Sequence, residues 1–219
     1  MDRRGFIKAG MAAAVTLASA KLLDASDLLQ NVTKTGNKTD KAMKILVLKT
    51  SGNKHGSSNT LADEFIRGAR ENGHEITEFD VARARIHHCM GCNQCGMAGP
   101  CIFNDDMTVL REMLLATDMI VFVTPVYYFG MSAQMKLVID RFYAFTYELS
   151  SAQKKAALLT VAWDSDLEAF QYLEEHYKKI CRYMNFDNQG IILGRGCGTP
   201  SMTNHSEYPK KAYELGKSI

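Results

Sequence analysis

From Met43 onward the apolar residues alternate between two rhythms. Ile45-Leu46-Val47-Leu48 is a short unbroken apolar run, the pattern of a strand buried on both faces of a parallel sheet. Ser57 to Asn72 then repeats with helical period. Leu61, Phe65 and Ala69 share one face, Ala62 and Ile66 flank it, and Gly73 can stop the helix. His74 to Val81 predicts a weaker strand, and a polar stretch rich in cysteine follows. Met107 to Ala116 predicts a helix with Asp106 as N-cap. Met119–Thr124, Ala156–Ala162 and Ile191–Leu193 are three further apolar strands. Between them, Ser132 to Phe145 predicts a helix. Ser165-Asp166-Leu167-Glu168 reads as a capping box, opening a helix with Leu167, Phe170, Leu173, Tyr177, Ile180 and Met184 on its inner stripe. A short helix from about Glu207 to Lys217 closes the series.

Five strands alternating with helices predict an open, doubly wound parallel sheet flanked by helices. Right-handed crossovers then gather the functional loops at the carboxyl ends of the strands.

The first 42 residues break this rhythm. Arg3-Arg4-Gly5-Phe6-Ile7-Lys8 has the twin-arginine form, followed by an apolar run to Ala20 that is too short to span a bilayer. Ala18-Ser19-Ala20 resembles a cleavage site, so residues 1–20 read as a twin-arginine signal peptide and the expectation is export to the periplasm or another extracytoplasmic space. Residues 21–42 are polar and read as a linker, leaving 43–219 as one domain. The chain carries 26 basic and 24 acidic residues. Setting aside Arg3, Arg4, Lys8 and Asp2 leaves 23 of each, so the positive balance belongs to the signal. No basic block suggests nucleic acid, and no other apolar run suggests a stable membrane span.

Chemistry concentrates in the loops. After the first strand, Thr50 to Thr60 supplies glycines and hydroxyls ahead of a helix N-terminus, which suits a phosphate. The spacing is neither a dinucleotide fingerprint nor a triphosphate loop. After the third strand, Thr124 to Ser132 sets three aromatics between Pro125 and Gly130, suited to cover a flat ligand or to pack in the core. After the fourth comes Trp163, the sole tryptophan. In a sheet of order 2-1-3-4-5, the first two of these loops flank the point where strand order reverses, the FMN site of one group of doubly wound folds.

Cys89, Cys92, Cys95 and Cys101 form C-x2-C-x2-C-x5-C inside the loop 87–106. Four soft thiolates suit an iron–sulfur cluster, and Gly96, Gly99 and Pro100 let the chain turn to supply the fourth. Zinc, disulfides and a dithiol redox pair remain alternatives.

Taken with K-I-L-V-L at 44–48, C-I-F-N-D-D-M at 101–107, T-P-V-Y-Y-F-G-M-S at 124–132 and Q-M-K-L-V-I-D-R at 134–141, these motifs resemble the NADPH-dependent FMN reductase family of flavodoxin-like proteins, and within it the iron–sulfur flavoproteins. The resemblance implies a flavodoxin-like three-layer αβα sandwich and an FMN-dependent oxidoreductase or electron-transfer flavoprotein. It implies FMN held by Ser51, Asn53, Ser57, Ser58, Asn59 and Thr60. Pro125, Val126, Tyr127, Tyr128, Phe129, Gly130 and Trp163 would lie against the ring. A 4Fe–4S cluster would rest on the four cysteines, with NAD(P)H as a possible donor. It further implies a homodimer or homotetramer, serving a redox partner protein or a quinone. The phosphate loop departs from the family's S-P-R, reading Ser51-Gly52-Asn53 with Lys54 and His55 inserted, and Lys54 or His55 is the candidate for its basic residue. Protein side chains position and tune here, and none is assigned a catalytic role. A cluster-free NAD(P)H:quinone or flavin reductase and a thiol–disulfide protein are the alternatives. Cys181 is expected to be structural, Cys197 a plain loop residue with approach to the flavin as its alternative, and Lys136–Asp140 a surface pair.

Overall fold

The computed structural model describes residues 42–219; the twin-arginine segment and most of the linker lie outside the described residues. Five parallel strands, β1 (Lys44–Lys49), β2 (Glu75–Asp80), β3 (Met119–Tyr127), β5 (Lys155–Val161) and β6 (Asp187–Gly194), form one sheet in the order β2-β1-β3-β5-β6. Counting these five alone, the order is the expected 2-1-3-4-5. A two-residue strand, β4 (Gly130–Met131), folds back antiparallel on β3 and brings the total to six.

Alternation along the buried strands builds two cores. Ile45, Val47, Val121, Val123, Ala157 and Leu159 face α1 (Ser57–Glu71) and the C-terminal α7 (Tyr208–Ser218). Leu46, Leu48, Ile120, Phe122, Ala156 and Leu158 face α2 (Asp106–Ala116), α3 (Ala133–Arg141), α4 (Thr146–Ser151) and α5 (Glu168–Met184). Helices on both faces of a parallel sheet complete the three-layer flavodoxin-like fold.

Local details differ from the periodicity. The predicted helix over 132–145 ends at Arg141, tightens into a 3-10 turn over Phe142–Phe145 and resumes as α4. Asp105, one residue earlier than expected, caps α2, its carboxylate accepting from the Met107 amide at 3.1 Å. The capping box before α5 does not form. Leu167 is the N-cap, it makes no side-chain cap bond, and it is 57% exposed rather than on the inner stripe. A short helix, α6 (Pro200–Asn204), follows the loop after β6, with Pro200 at its first position and Thr199 as its cap. Among the described residues no helix is long and apolar enough to cross a membrane.

Candidate functional site

The carboxyl ends of β1, β3, β5 and β6 open onto one cleft of about 440 Å³, within the usual range for small-molecule sites. Ser51, Asn53, Ser57 and Ser58 line it from the β1–α1 loop, and Pro125, Val126 and Tyr127 from β3. Val161, Ala162 and Trp163 follow β5, and Cys197, Gly198 and Pro200 follow β6.

The β1–α1 side is shaped for an anion. Gly56 is the N-cap of α1, and no side chain caps the helix, so its first amides are left without a protein acceptor. Ser57 Oγ is buried and has no hydrogen-bond partner. A Cβ at Gly56 would stand 2.8 Å from Ser51 Oγ and 3.0 Å from the Asn53 carbonyl, so only glycine keeps this turn open. The loop is braced from within. Asn59 Nδ2 donates to the carbonyls of Asn53 (2.8 Å) and Lys54 (3.3 Å), and the Gly56 amide donates to Asn53 O at 2.9 Å. Unpaired helix amides, a buried hydroxyl without a partner and a turn emptied of side chain suit a phosphate.

The opposite wall is flat and aromatic. Trp163 packs so closely on Gly198 that a Cβ there would lie 2.0 Å from the indole ring. Tyr127 stands across from it, 59% exposed.

Five expected contact residues stand outside the cleft wall. Asn59 sits one turn into α1 as the brace just described, and Thr60 Oγ1 donates back to the Gly56 carbonyl at 3.4 Å. Tyr128 and Phe129 form the tip of the β3–β4 hairpin and Gly130 pairs with Tyr127. Both tip residues have left-handed φ (47° and 65°), the backbone of a tight two-residue hairpin that glycine or asparagine normally supplies. Tyr128 is fully exposed.

Two contributions differ from the leading expectation. Cys197, expected to be a plain loop residue, is buried and lines the cleft, its thiol 3.5 Å from the Arg195 carbonyl. A cation from outside the phosphate loop, Arg83, donates to the Gly52 carbonyl at 3.0 Å and pairs with Asp80. Lys54 and His55 had been the candidates, and nothing local in the sequence ties residue 83 to residue 52.

The cysteine loop lies on the other face of the sheet, against α2 and α3. Cys89, Cys92, Cys95 and Cys101 are free thiols and all line one small cavity of about 20 Å³, with Phe103, Arg141 and Tyr143. Among the described residues no three His, Cys, Asp or Glu side chains are already disposed to hold a metal ion. The soft four-thiol donor set and its convergence suit a cluster; the sulfurs would have to turn inward to ligate one.

Both ends of the loop are fastened. Arg141, 2% exposed at its side chain, forks onto Asp105 with bonds of 2.8 and 3.2 Å. The same guanidinium donates to the carbonyls of His87 (2.9 Å) and Phe103 (3.5 Å), and Asp105 accepts from the His87 amide at 2.8 Å. The His87 and Phe103 rings stack at 4.7 Å. Burial by itself would raise the Asp105 carboxyl, but Arg141 and the backbone amides outweigh it and hold the group below the ordinary carboxylate value. Cys181 is buried against Tyr177 in the core, as expected, and burial pushes its thiol up. Lys136 and Asp140 form the expected exposed pair.

A family model described as NADPH-dependent FMN reductase matches residues 43–189. An iron–sulfur flavoprotein of Archaeoglobus fulgidus is 31% identical over 99 residues, 45% of this chain and 45% of that protein. Iron-sulfur flavoprotein MJ1083 of Methanocaldococcus jannaschii is 31% identical over 99 residues, 45% of this chain and 51% of that protein. The match thus spans about half the length of these curated relatives. The solved NAD(P)H:quinone oxidoreductase of Methanothermobacter marburgensis superposes with a TM-score of 0.68 at 19% identity, covering 81% of this chain and 96% of that one, a likeness of fold.

Proposed function

We propose that this chain, which belongs to the NADPH-dependent FMN reductase family, is an FMN-dependent oxidoreductase that binds its flavin in the strand-end cleft. The observation that carries this reading is the cradle at Gly56: an uncapped helix N-terminus, a buried Ser57 hydroxyl without a partner and a turn closed to any side chain. Bound there, FMN would take up two electrons as a hydride and release them singly or together. The residues of this chain bind, orient and shield. The α1 amides with Ser51, Ser57 and Ser58 take the phosphate, while Asn59 and Arg83 keep the loop in shape. Tyr127 and Trp163 supply flat apolar surface for the ring and exclude water from its faces. NAD(P)H is the donor that the family's name suggests.

The four cysteines form one donor set, and we assign them to a 4Fe–4S cluster that would pass single electrons. Their convergence on one cavity and the names of the iron–sulfur relatives support this. Export by the twin-arginine route, with cofactors inserted before transport, is part of the same proposal, as is a homodimer or homotetramer. The exposed Tyr128 and Phe129 at the cleft mouth are surface that such an assembly could cover. Redox partners are then a protein or a quinone.

Anaerobic purification with flavin, iron and sulfide analysis tests the whole. FMN with iron and acid-labile sulfide supports both halves. FMN without iron after reconstitution leaves a cluster-free reductase. Neither bound FMN nor iron would overturn both.

A further inference from the structure

We propose that Arg141, acting through Asp105, is a positioning residue for the cysteine loop: it ties the loop's two ends together and so sets the mutual spacing of the four thiols. The loop has little internal order of its own. Over residues 86–104 the backbone makes only turns, and four residues (Gly91, Asn93, Gly96 and Met97) adopt left-handed φ. Its internal backbone bonds are confined to the central turn, from Gly96 to Asn93 and from Ala98 and Gly99 to Cys95. One mid-loop tether comes from Tyr143, whose hydroxyl donates to Asn93 Oδ1 at 2.8 Å.

At the neck, Arg85 and Asp106 exchange two bonds, the Arg85 amide to the Asp106 carboxylate at 2.7 Å and the Asp106 amide to the Arg85 carbonyl at 3.1 Å. The neck's side-chain bonds nearest the cysteines converge on one ion pair. Arg141 holds the carbonyl of His87, two residues before Cys89, and that of Phe103, two residues after Cys101. Asp105 holds the His87 amide with the same carboxylate that caps α2. The His87–Phe103 stack lies over the closed neck, and the Arg141 guanidinium stands 5.5 Å from the Phe103 ring centroid. A planar fork can grip a carboxylate and two carbonyls at once, which an ammonium cannot.

The clamp is itself referenced to the flavin cleft. Arg141 is the last residue of α3, and Ser132 caps the first turn of the same helix. The Ser132 hydroxyl donates to Thr50 Oγ1 at 3.0 Å, and its amide donates to Thr124 Oγ1 at 3.0 Å. Thr50, just after β1, and Thr124, within β3, are buried directly before residues that line the cleft. Nine helical residues, about 14 Å at about 1.5 Å each, thus separate the anchor at the flavin side from the clamp on the thiols. The sequence carries both partners in motifs already noted, D-D-M and D-R, but their pairing appears only in three dimensions.

Two variants test this. Arg141→Lys keeps the charge and loses the fork. Asp105→Asn combined with Arg141→Met keeps the cap acceptor on α2 and the buried volume while removing the ion pair, so no buried charge is orphaned. In reduced, metal-free protein, Cys92 is exposed and the other three thiols are half-buried, so wild type should alkylate Cys92 first. Both variants should bring Cys89, Cys95 and Cys101 up towards the Cys92 rate at a temperature where the protein is folded, with FMN per chain retained. A merely structural role would not separate those readouts. After anaerobic reconstitution, the variants should lose iron to a chelator at about 10- to 100-fold lower chelator concentration than wild type. The iron arm rests on the cluster assignment; the alkylation arm does not. If wild type takes up no iron, the cluster assignment fails and the alkylation pattern still decides this inference. Site-by-site alkylation unchanged from wild type in Arg141→Lys, with FMN bound, overturns it. Should the double variant fail to fold, Arg141→Lys decides by the same measurement.

Discussion

The phosphate loop, at the carboxyl end of β1, leads into the helix layer on one face of the sheet, the cysteine loop packs with the core on the other, and the two are held by different means. The first is short, runs directly from β1 into α1, and is braced mainly from within, Gly56 and Asn59 both donating to the Asn53 carbonyl, with one outside bond from Arg83 to Gly52. The second is long, has turns and no helix or strand, and is fastened by residues distant in sequence, above all by Arg141, 36 residues from Asp105. A loop held locally keeps its shape through the strand and helix it joins. A loop held at its neck leans on one buried charge pair beside the Arg85–Asp106 backbone bonds, and breaking that pair should loosen the segment that carries the thiols.

The largest effect expected from that contrast is at Asp105. Asp105→Ala removes the α2 cap and leaves the buried Arg141 guanidinium unpaired, which should destabilise the protein by about 3–5 kcal/mol in urea unfolding. A loss below about 1 kcal/mol would mean that the neck does not govern its loop. Next, Gly56→Ala drives a Cβ against Ser51 and Asn53. It should weaken FMN binding by about 1–3 kcal/mol, or about 5- to 150-fold in a titration, and leave alkylation of the cysteines unchanged. Equal disturbance of both loops would erase the distinction between them.

Acid titration sharpens the same point. The folded Asp105 carboxyl lies below its ordinary value of 3.8 because Arg141 and the amides of His87 and Met107 overcome the cost of burial. A carboxyl lowered in the folded state adds stability that is fully present above the unfolded value and is lost as pH falls through the folded one. Thermal midpoints should therefore fall below about pH 4 more steeply in wild type than in the Asp105→Asn, Arg141→Met double variant. Parallel curves would contradict the assignment. The smallest effect is expected at the hairpin tip. Phe129→Gly relieves a left-handed φ of 65° and should raise stability by about 1 kcal/mol, with FMN affinity unchanged because Phe129 does not line the cleft.

The contrast also explains what could be read from the sequence. Strands with unbroken apolar runs and helices with a clear stripe were legible, because burial imposes those patterns along contiguous residues. So were Ser51, Asn53, Ser57, Ser58, Pro125, Val126, Tyr127 and Trp163 as lining residues, since each sits at or next to a strand end or helix start. Asn59 and Thr60 read as ligands because hydroxyl and amide groups near a helix start look alike whether they face the cleft or the backbone. Their inward turn depends on carbonyls presented by the folded loop. The hairpin at Tyr128-Phe129 was hidden because its residues are the wrong ones for its geometry. Arg83 and the role of Arg141 were hidden because each acts across the fold rather than along the chain.

FMN titration of the flavin-stripped protein is the most direct test of the central claim, followed by flavin fluorescence for wild type and Gly56→Ala in parallel, with riboflavin as the ligand lacking phosphate. The cradle at Gly56 predicts one FMN per chain in wild type, much weaker binding of riboflavin, and a loss of the FMN preference in Gly56→Ala. Equal affinity for FMN and riboflavin in wild type, or an unchanged FMN preference in Gly56→Ala, would contradict it.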